Sequence, residues 1–351
     1  MNKPDNRKTI SGARSDEDAA FDASLRPQRF ADFVGQEKLK KNLAVFVEAA
    51  KKRGEALDHV LFCGPPGLGK TTLSRILANE LGVGIKATSG PVLERKGDLA
   101  GNLTNLSERE ILFIDEVHRL NRVVEECLYP AMEDFVFDIM TGDGPAARAI
   151  RIPLKRFTLV GSTTRAGMLT SPMRARFGYV GRVDYYGPED LQTIALRSAR
   201  ILGVACDPDA ALVLGTRARG TPRIVNRLLR RARDVAEVKA DGRVNVLVVK
   251  ETLAMLGVDD CGLDEMDRRI LGAIVEHYGG GPVGINTVAV VVGEEPDTIE
   301  EVYEPFLIQA GYLKRTPRGR EVTARTYTYL GVKPPKGKKG SGAQGSLFEE
   351  I

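Results

Sequence analysis

The chain has 351 residues, 42% of them apolar, which is enough for two or three domains with cores of their own. Its longest apolar stretches, such as Val288 to Val292, fall far short of the ~20 residues that cross a bilayer. Four cysteines more than 50 residues apart and only three histidines disfavour a disulfide frame or a structural zinc, and a net charge of +4 is by itself too mild to imply nucleic acid.

The first 24 residues are polar and charged rather than signal-like, so they are expected to form a disordered arm on a soluble, cytoplasmic protein without a membrane anchor. From Leu25 to Tyr186, short apolar runs (Val60 to Cys63, Ile111 to Ile114, Thr158 to Val160) alternate with helix-like segments such as Thr72 to Leu81. That alternation predicts an α/β domain built on a parallel sheet. Residues 187–260 lose the strand-like runs and read as a small all-helical domain, with helices at Glu189 to Leu202, Asp209 to Thr216 and Pro222 to Val238. Thr221 is the expected N-cap of the last, with Pro222 at its first position. A third unit spans 261–332, and 333–351 reads as a flexible tail rich in Lys, Gly, Ser and Pro.

Gly64-Pro65-Pro66-Gly67-Leu68-Gly69-Lys70-Thr71 fits G-x-x-x-x-G-K-[ST] and sits between an apolar strand and a helix. Glycines let backbone N–H groups turn inward around phosphate oxygens, the helix N-terminus adds positive potential, and Lys70 reaches the β and γ phosphates. Thr71 is expected to hold Mg²⁺ through its hydroxyl. Ile111-Leu112-Phe113-Ile114-Asp115-Glu116 ends a buried strand in two carboxylates. Asp115 suits a metal-organising acid and Glu116 a residue that orients the attacking water. The nucleotide is expected to be ATP: no Asn-Lys-x-Asp element is present, and Asp98-Leu99-Ala100-Gly101 is read as an accidental match to another GTPase motif. Arg174, Arg176 and Arg223 are candidates to neutralise charge developing on the transferred phosphoryl group.

The order of these elements, continued by Gly161-Ser162-Thr163-Thr164-Arg165 and Gly220-Thr221-Pro222-Arg223, resembles the AAA+ ATPases. More narrowly, Leu25-Arg26-Pro27 with Phe33-Val34-Gly35-Gln36, Asp115-Glu116-Val117-His118-Arg119-Leu120, and Thr316-Pro317-Arg318-Gly319-Arg320 are similar to the RuvB family of Holliday junction branch migration motors over residues 25–332. The resemblance implies that Thr164 is the sensor 1 residue, that Arg223 is sensor 2 in the same subunit, and that Arg176 is a finger offered to the neighbouring subunit's ATP. It also implies that Leu25, Arg26, Gly67, Gly69, Thr72, Glu133, Asp134, Phe135 and Tyr186 contact nucleotide. The implied assembly is a homohexameric ring around duplex DNA that acts on Holliday junctions with the partner RuvA, and indirectly with the RuvC resolvase. A clamp-loader-like or initiator-type AAA+ ATPase, and a non-hydrolysing DNA-binding regulator, are the rival readings.

Phe135 to Pro153, with Thr141-Gly142-Asp143-Gly144 at its middle, reads as a hairpin, and the resemblance makes it the contact for RuvA. In the third unit Pro296 with Thr298 to Glu301 reads as a helix start with a capping box, and Ile299, Val302, Tyr303, Phe306, Leu307 and Ala310 as one apolar face. Pro305 is expected to bend that helix. Tyr312 to Arg315 and Arg320 to Thr323 read as strands around a Thr316-to-Gly319 turn, completing a winged-helix pattern. Residues 262–332 hold 11 acids and 7 bases, yet five of those bases lie between Lys314 and Arg325. Arg315 and Arg320 are therefore the expected DNA contacts, binding phosphate without reading bases. Gln344 to Phe348 resembles a sliding-clamp docking peptide.

Overall fold

Three runs of consecutive buried residues form the middle of a parallel sheet, because strands covered on both faces have no solvent side to alternate with. In the computed structural model, which describes residues 24–141 and 148–335, these are β1 (Val60–Cys63), β3 (Ile111–Asp115) and β6 (Thr158–Thr163). The edges are β2 (Ile85–Ser89) and β7 (Tyr179–Arg182), and the order is β2-β3-β6-β1-β7 with every pairing parallel. Antiparallel β4 (Val136–Thr141) and β5 (Arg148–Pro153) pair as the predicted hairpin arms. The hairpin's expected turn, the N-terminal arm and the Gln344–Phe348 peptide lie outside the described residues.

Leu99, Leu103, Leu112, Ile114, Leu128 and Phe157 form one core against this sheet. The Asp98–Gly101 stretch is ordinary helix: Asp98 bonds the Arg95 backbone N–H at 2.9 Å within the helix Lys96–Thr104, and Leu99 is fully buried. Helices Pro188–Ile201, Pro208–Arg217, Pro222–Lys239 and Val246–Met255 follow the sheet. Thr221 takes the N-cap position, but its hydroxyl makes no capping bond and instead donates to the Ala218 carbonyl at 3.1 Å. Chain contacts divide the protein into two compact units, one ending at Leu256 and one starting at Gly257. Among the described residues all four cysteines are free and no helix is long and apolar enough to cross a membrane.

The second unit packs Leu263, Ile270, Ile274, Val288, Ile299, Tyr303, Leu307 and Tyr312 into a core of its own. Its predicted long helix is broken into Pro296–Thr298, a π-helical turn Ile299–Tyr303, and Glu304–Gln309. The expected capping box is absent; Glu295 is the N-cap, without a side-chain bond. Pro305 has no N–H for the ordinary bond to the fourth residue back, and the chain accommodates it with a wider turn in which Glu304 N–H reaches Ile299 O. Val302 falls off the apolar face at 37% exposure. The hairpin is β8 (Leu313–Thr316) and β9 (Gly319–Val322), each one residue out of step with the sequence reading. Gly319 sets the register: at φ +133° a Cβ there would come within 2.4 Å of the Val283 carbonyl oxygen. Helix plus wing hairpin make this unit a winged-helix domain.

His59 ties β1 to its neighbours. Its Nδ1 accepts the Leu159 backbone N–H at 2.8 Å, so Nε2 carries the proton and donates to the Met132 carbonyl at 3.0 Å. Burial first of all holds its pKa below the ordinary 6.5. The unfolded chain therefore takes up the second ring proton, at Nδ1, more readily than the folded one, and the stability His59 contributes is complete above pH 6.5 and lost as pH falls below it. Urea midpoints measured from about pH 7.5 to about pH 5.5 should drop, and His59→Gln should flatten the profile. An equal drop in His59→Gln would show that other groups carry it.

Candidate functional site

The loop after β1 turns the main chain through conformations that side chains resist. Gly64, Gly67 and Gly69 have φ of +147°, +81° and +99°, and a Cβ on Gly64 would lie 2.2 Å from the Val183 carbonyl oxygen. Gly69 then becomes the N-cap of helix Lys70–Leu81, so the orphan N–H groups of its first turn face the loop's concavity. Lys70, 7% exposed, folds back to donate to the Gly64 and Pro65 carbonyls, both at 2.7 Å. Burial pushes its ammonium pKa down to about 8, against the opposing attraction of Asp115.

Parallel pairing brings the tips of β3 and β6 beside this loop. Asp115 accepts from three directions: Thr71 Oγ1 at 3.5 Å on one carboxylate oxygen, and the Glu116 N–H at 3.1 Å with the Ser162 hydroxyl on the other. Sequence reading missed Ser162, which is wholly buried in β6; a serine in a buried strand pointing at a strand-end carboxylate was the available signal. Glu116 adopts left-handed backbone angles (φ 50°, ψ 47°), unusual for a residue with a long side chain, and its carboxylate accepts from Arg119 at 3.0 Å. Thr163, one residue before Thr164, has its hydroxyl 3.0 Å from His118 Nδ1.

These groups open into a cleft of about 350 Å³ lined by Leu25, Arg26, Gly67, Gly69, Lys70, Thr71, Thr72, Asp115, Glu116, Thr164, Tyr186 and Arg223. Four further lining residues, Asp32, Ile194, Arg197 and Asn226, were not read from the sequence. Arg197 donates to the Leu25 carbonyl at 2.8 Å, and the Tyr186 hydroxyl donates to the Leu68 carbonyl at 3.1 Å. Ser198 donates to Asn226 Oδ1 at 2.8 Å, which leaves the amide nitrogen of Asn226 as the end available to the cleft.

Four of the expected nucleotide residues do not line this cleft. Glu133 and Asp134 end the helix Arg122–Glu133, and Phe135 packs against the core, its ring 5.8 Å from Phe157. Arg176 stands with them: it pairs with Glu133 at 3.2 Å, donates to the Pro172 carbonyl at 2.8 Å and lies 4.1 Å over the Tyr129 ring. Glu133, Asp134 and Phe135 thus stand at the end of the helix after β3 and the start of the hairpin, outside the cleft of this chain. Arg174 is also engaged elsewhere, donating to the Ala166 carbonyl.

In the winged-helix unit Arg315 and Arg320 share two carboxylates. Arg315 bonds Glu304 and Glu300 at 2.8 Å each, and Arg320 bonds them at 3.0 and 3.1 Å. Lys314 pairs with Glu321 at 3.4 Å, while Arg318 is exposed at the turn.

A phosphate loop, strand-end carboxylates, a threonine just past the adjacent strand and an arginine on a following helix define a P-loop AAA+ ATPase. Three consecutive family models match: the Holliday junction DNA helicase RuvB P-loop domain at residues 25–183, the RuvB AAA lid domain at 186–259 and the RuvB C-terminal winged helix domain at 260–331. The chain belongs to the RuvB family; it binds and hydrolyses ATP and works on DNA as a Holliday junction motor. It is 51% identical to the Thermotoga maritima RuvB Holliday junction branch migration motor over 89% of this chain and 100% of that one, with a TM-score of 0.82. A single-residue variant of the same Thermotoga protein matches at 50% identity over 89% and 100%, also at 0.82. The clamp-loader and initiator readings are not favoured.

Phosphates attract the charged form of Lys70, so a nucleotide arriving above pH 8 must bring a proton onto that amine. Titration of a nonhydrolysable ATP analogue in buffers of different ionisation enthalpy should show little proton uptake near pH 7 and uptake approaching one proton near pH 9. Affinity should fall as pH rises, by at most about tenfold per unit. Uptake that does not change with pH would remove Lys70 from phosphate contact.

Proposed function

We propose that this chain is the ATP-driven subunit of a hexameric ring that encircles duplex DNA and, with a RuvA partner, drives branch migration of Holliday junctions in recombination and repair. The observation that carries the reading is a division of labour within one chain: the phosphate loop, both carboxylates, Thr164 and Arg223 share a cleft, while Arg176 stands outside it with Glu133. An arginine absent from its own cleft is suited to complete a neighbour's. In this reading Arg176 is the finger, and Glu133, Asp134 and Phe135 belong to the surface that approaches the adjoining subunit's nucleotide.

Within the cleft, Lys70 and the loop amides bind the β and γ phosphates, Thr164 and Arg223 sense the γ phosphate, and Glu116 orients water for attack once Arg119 releases its carboxylate. Leu25, Arg26 and Tyr186 enclose the base, with Arg197 fixing the Leu25 carbonyl. The Thr71 hydroxyl and Asp115 carboxylate are hard oxygen donors 3.5 Å apart at the cleft, a set that fits Mg²⁺. When bound there, the ion would neutralise phosphate charge. The domain scheme is 25–186 for the large ATPase domain, 187–260 for the lid and 261–332 for the winged-helix head, whose Arg315 and Arg320 contact DNA phosphates. The β4–β5 hairpin is the RuvA contact, RuvC joins through the junction complex, and the protein works in the cytoplasm.

Glu116→Gln should retain ATP binding and lose nearly all turnover, and Arg176→Ala alone should also turn over slowly. Mixing the two should restore part of the ATPase rate, because a ring with both subunits contains seams with an intact Arg176 facing an intact Glu116. No rescue at any ratio would argue against shared sites. Conversion of a synthetic four-way junction to duplex arms, ATP-dependent and stimulated by RuvA, tests the assembly as a whole; turnover without conversion would sink the motor reading.

A further inference from the structure

The wing's positive charge, counted from sequence, is largely answered from within the same unit. Glu304 has a side chain only 1% exposed, and a carboxylate so buried is tolerated only when hydrogen-bonded and paired. Arg315 and Arg320 both meet that requirement. Glu300, one turn earlier, accepts from the same two guanidiniums through its Oε1, but it is 27% exposed. Both glutamates, one on the π turn and one just after it, face the hairpin. Two acids against two arginines make a cluster of zero net charge, with the outer part of Arg315, 52% exposed, open to water.

We propose that Glu300 is an internal stand-in for a DNA phosphate, occupying the wing arginines until a backbone phosphate displaces it. This rests on the reading of Arg315 and Arg320 as DNA contacts. Glu304 and Glu300 divide the work: the buried acid fixes where the guanidiniums point, and the half-buried one competes for the same donors. Exchange of carboxylate for phosphate conserves hydrogen bonds, so little enthalpy separates the bound and free wings. Counterion release is also smaller than two free guanidiniums would give, because Arg315 and Arg320 arrive already paired with carboxylates. The result is a grip on duplex DNA that is sequence-blind and readily let go, which suits a contact that must be broken and remade as DNA passes.

The test is binding of the full-length protein to a short labelled duplex across a salt series. Glu300→Gln keeps an acceptor for the arginines but removes the charge, and should bind about three- to tenfold tighter with a salt slope steeper by about one ion. Glu295→Gln adds the same charge elsewhere on the domain, where the side chain is exposed, and should change affinity less than about twofold. Arg315→Ala should weaken binding and flatten the slope. If Glu300→Gln binds no tighter than Glu295→Gln while Arg315→Ala weakens binding, the competition is overturned and the wing contact stands. If Arg315→Ala changes neither affinity nor slope, the wing contact fails and takes the competition with it.

Discussion

A triphosphate carries more negative charge than any apolar protein interior will accept, and this cleft is arranged to receive it. The answer is one buried lysine set in a cup of main-chain amides. Taking an ammonium out of water disfavours its charged form, and the Gly64 and Pro65 carbonyls compensate only in part, which is why burial shifts Lys70 downward. The loop is therefore a partly unsatisfied electrostatic receptor before nucleotide arrives. Its shape depends in turn on the sheet: Gly64 can pass the Val183 carbonyl only because it lacks a Cβ, and Asp115 reaches Thr71 only because β3 lies two strands from β1.

How much of this was legible follows from what each residue does locally. The three central strands were readable because each holds a run of consecutive buried residues with an apolar stretch in it, Val60 to Cys63, Ile111 to Ile114 and Leu159 to Val160. The edge strands β2 and β7 were not, since Ile-Lys-Ala-Thr-Ser and Tyr-Val-Gly-Arg are half-exposed and show neither a run nor an alternation. The phosphate loop was readable because its chemistry is contiguous in sequence. Ser162 on Asp115, Arg197 on the Leu25 carbonyl and Ser198 on Asn226 were not, because each bond joins residues brought together only by the fold. The resemblance assigned Glu133, Asp134 and Phe135 to nucleotide without saying whose, and geometry separates them from the chain's own cleft.

The wing shows the opposite failure, in which sequence overstated a feature. Counting Lys314, Arg315, Arg318 and Arg320 on a hairpin suggests a strongly cationic tongue, but Glu300 and Glu304 approach it from the preceding helix, and Glu321 faces Lys314 from within it. Local composition cannot register compensation delivered across a tertiary contact. Pro305, which sequence treats as a bend, is absorbed by the fold as a π turn over Ile299–Tyr303.

The bond from Arg197 to the Leu25 carbonyl couples two bodies at the far end of the cleft from the phosphates. Leu25 precedes the sheet domain, whereas Arg197 belongs to the first lid helix and Arg223 to the third. A nucleotide seated between them would act as a rivet, fastened to the lid at the base by one arginine's neighbourhood and at the phosphate end by another. Loss of the terminal phosphate would free only one of these fastenings. The lid would then stay hinged at the base end and be released where the phosphate had held it.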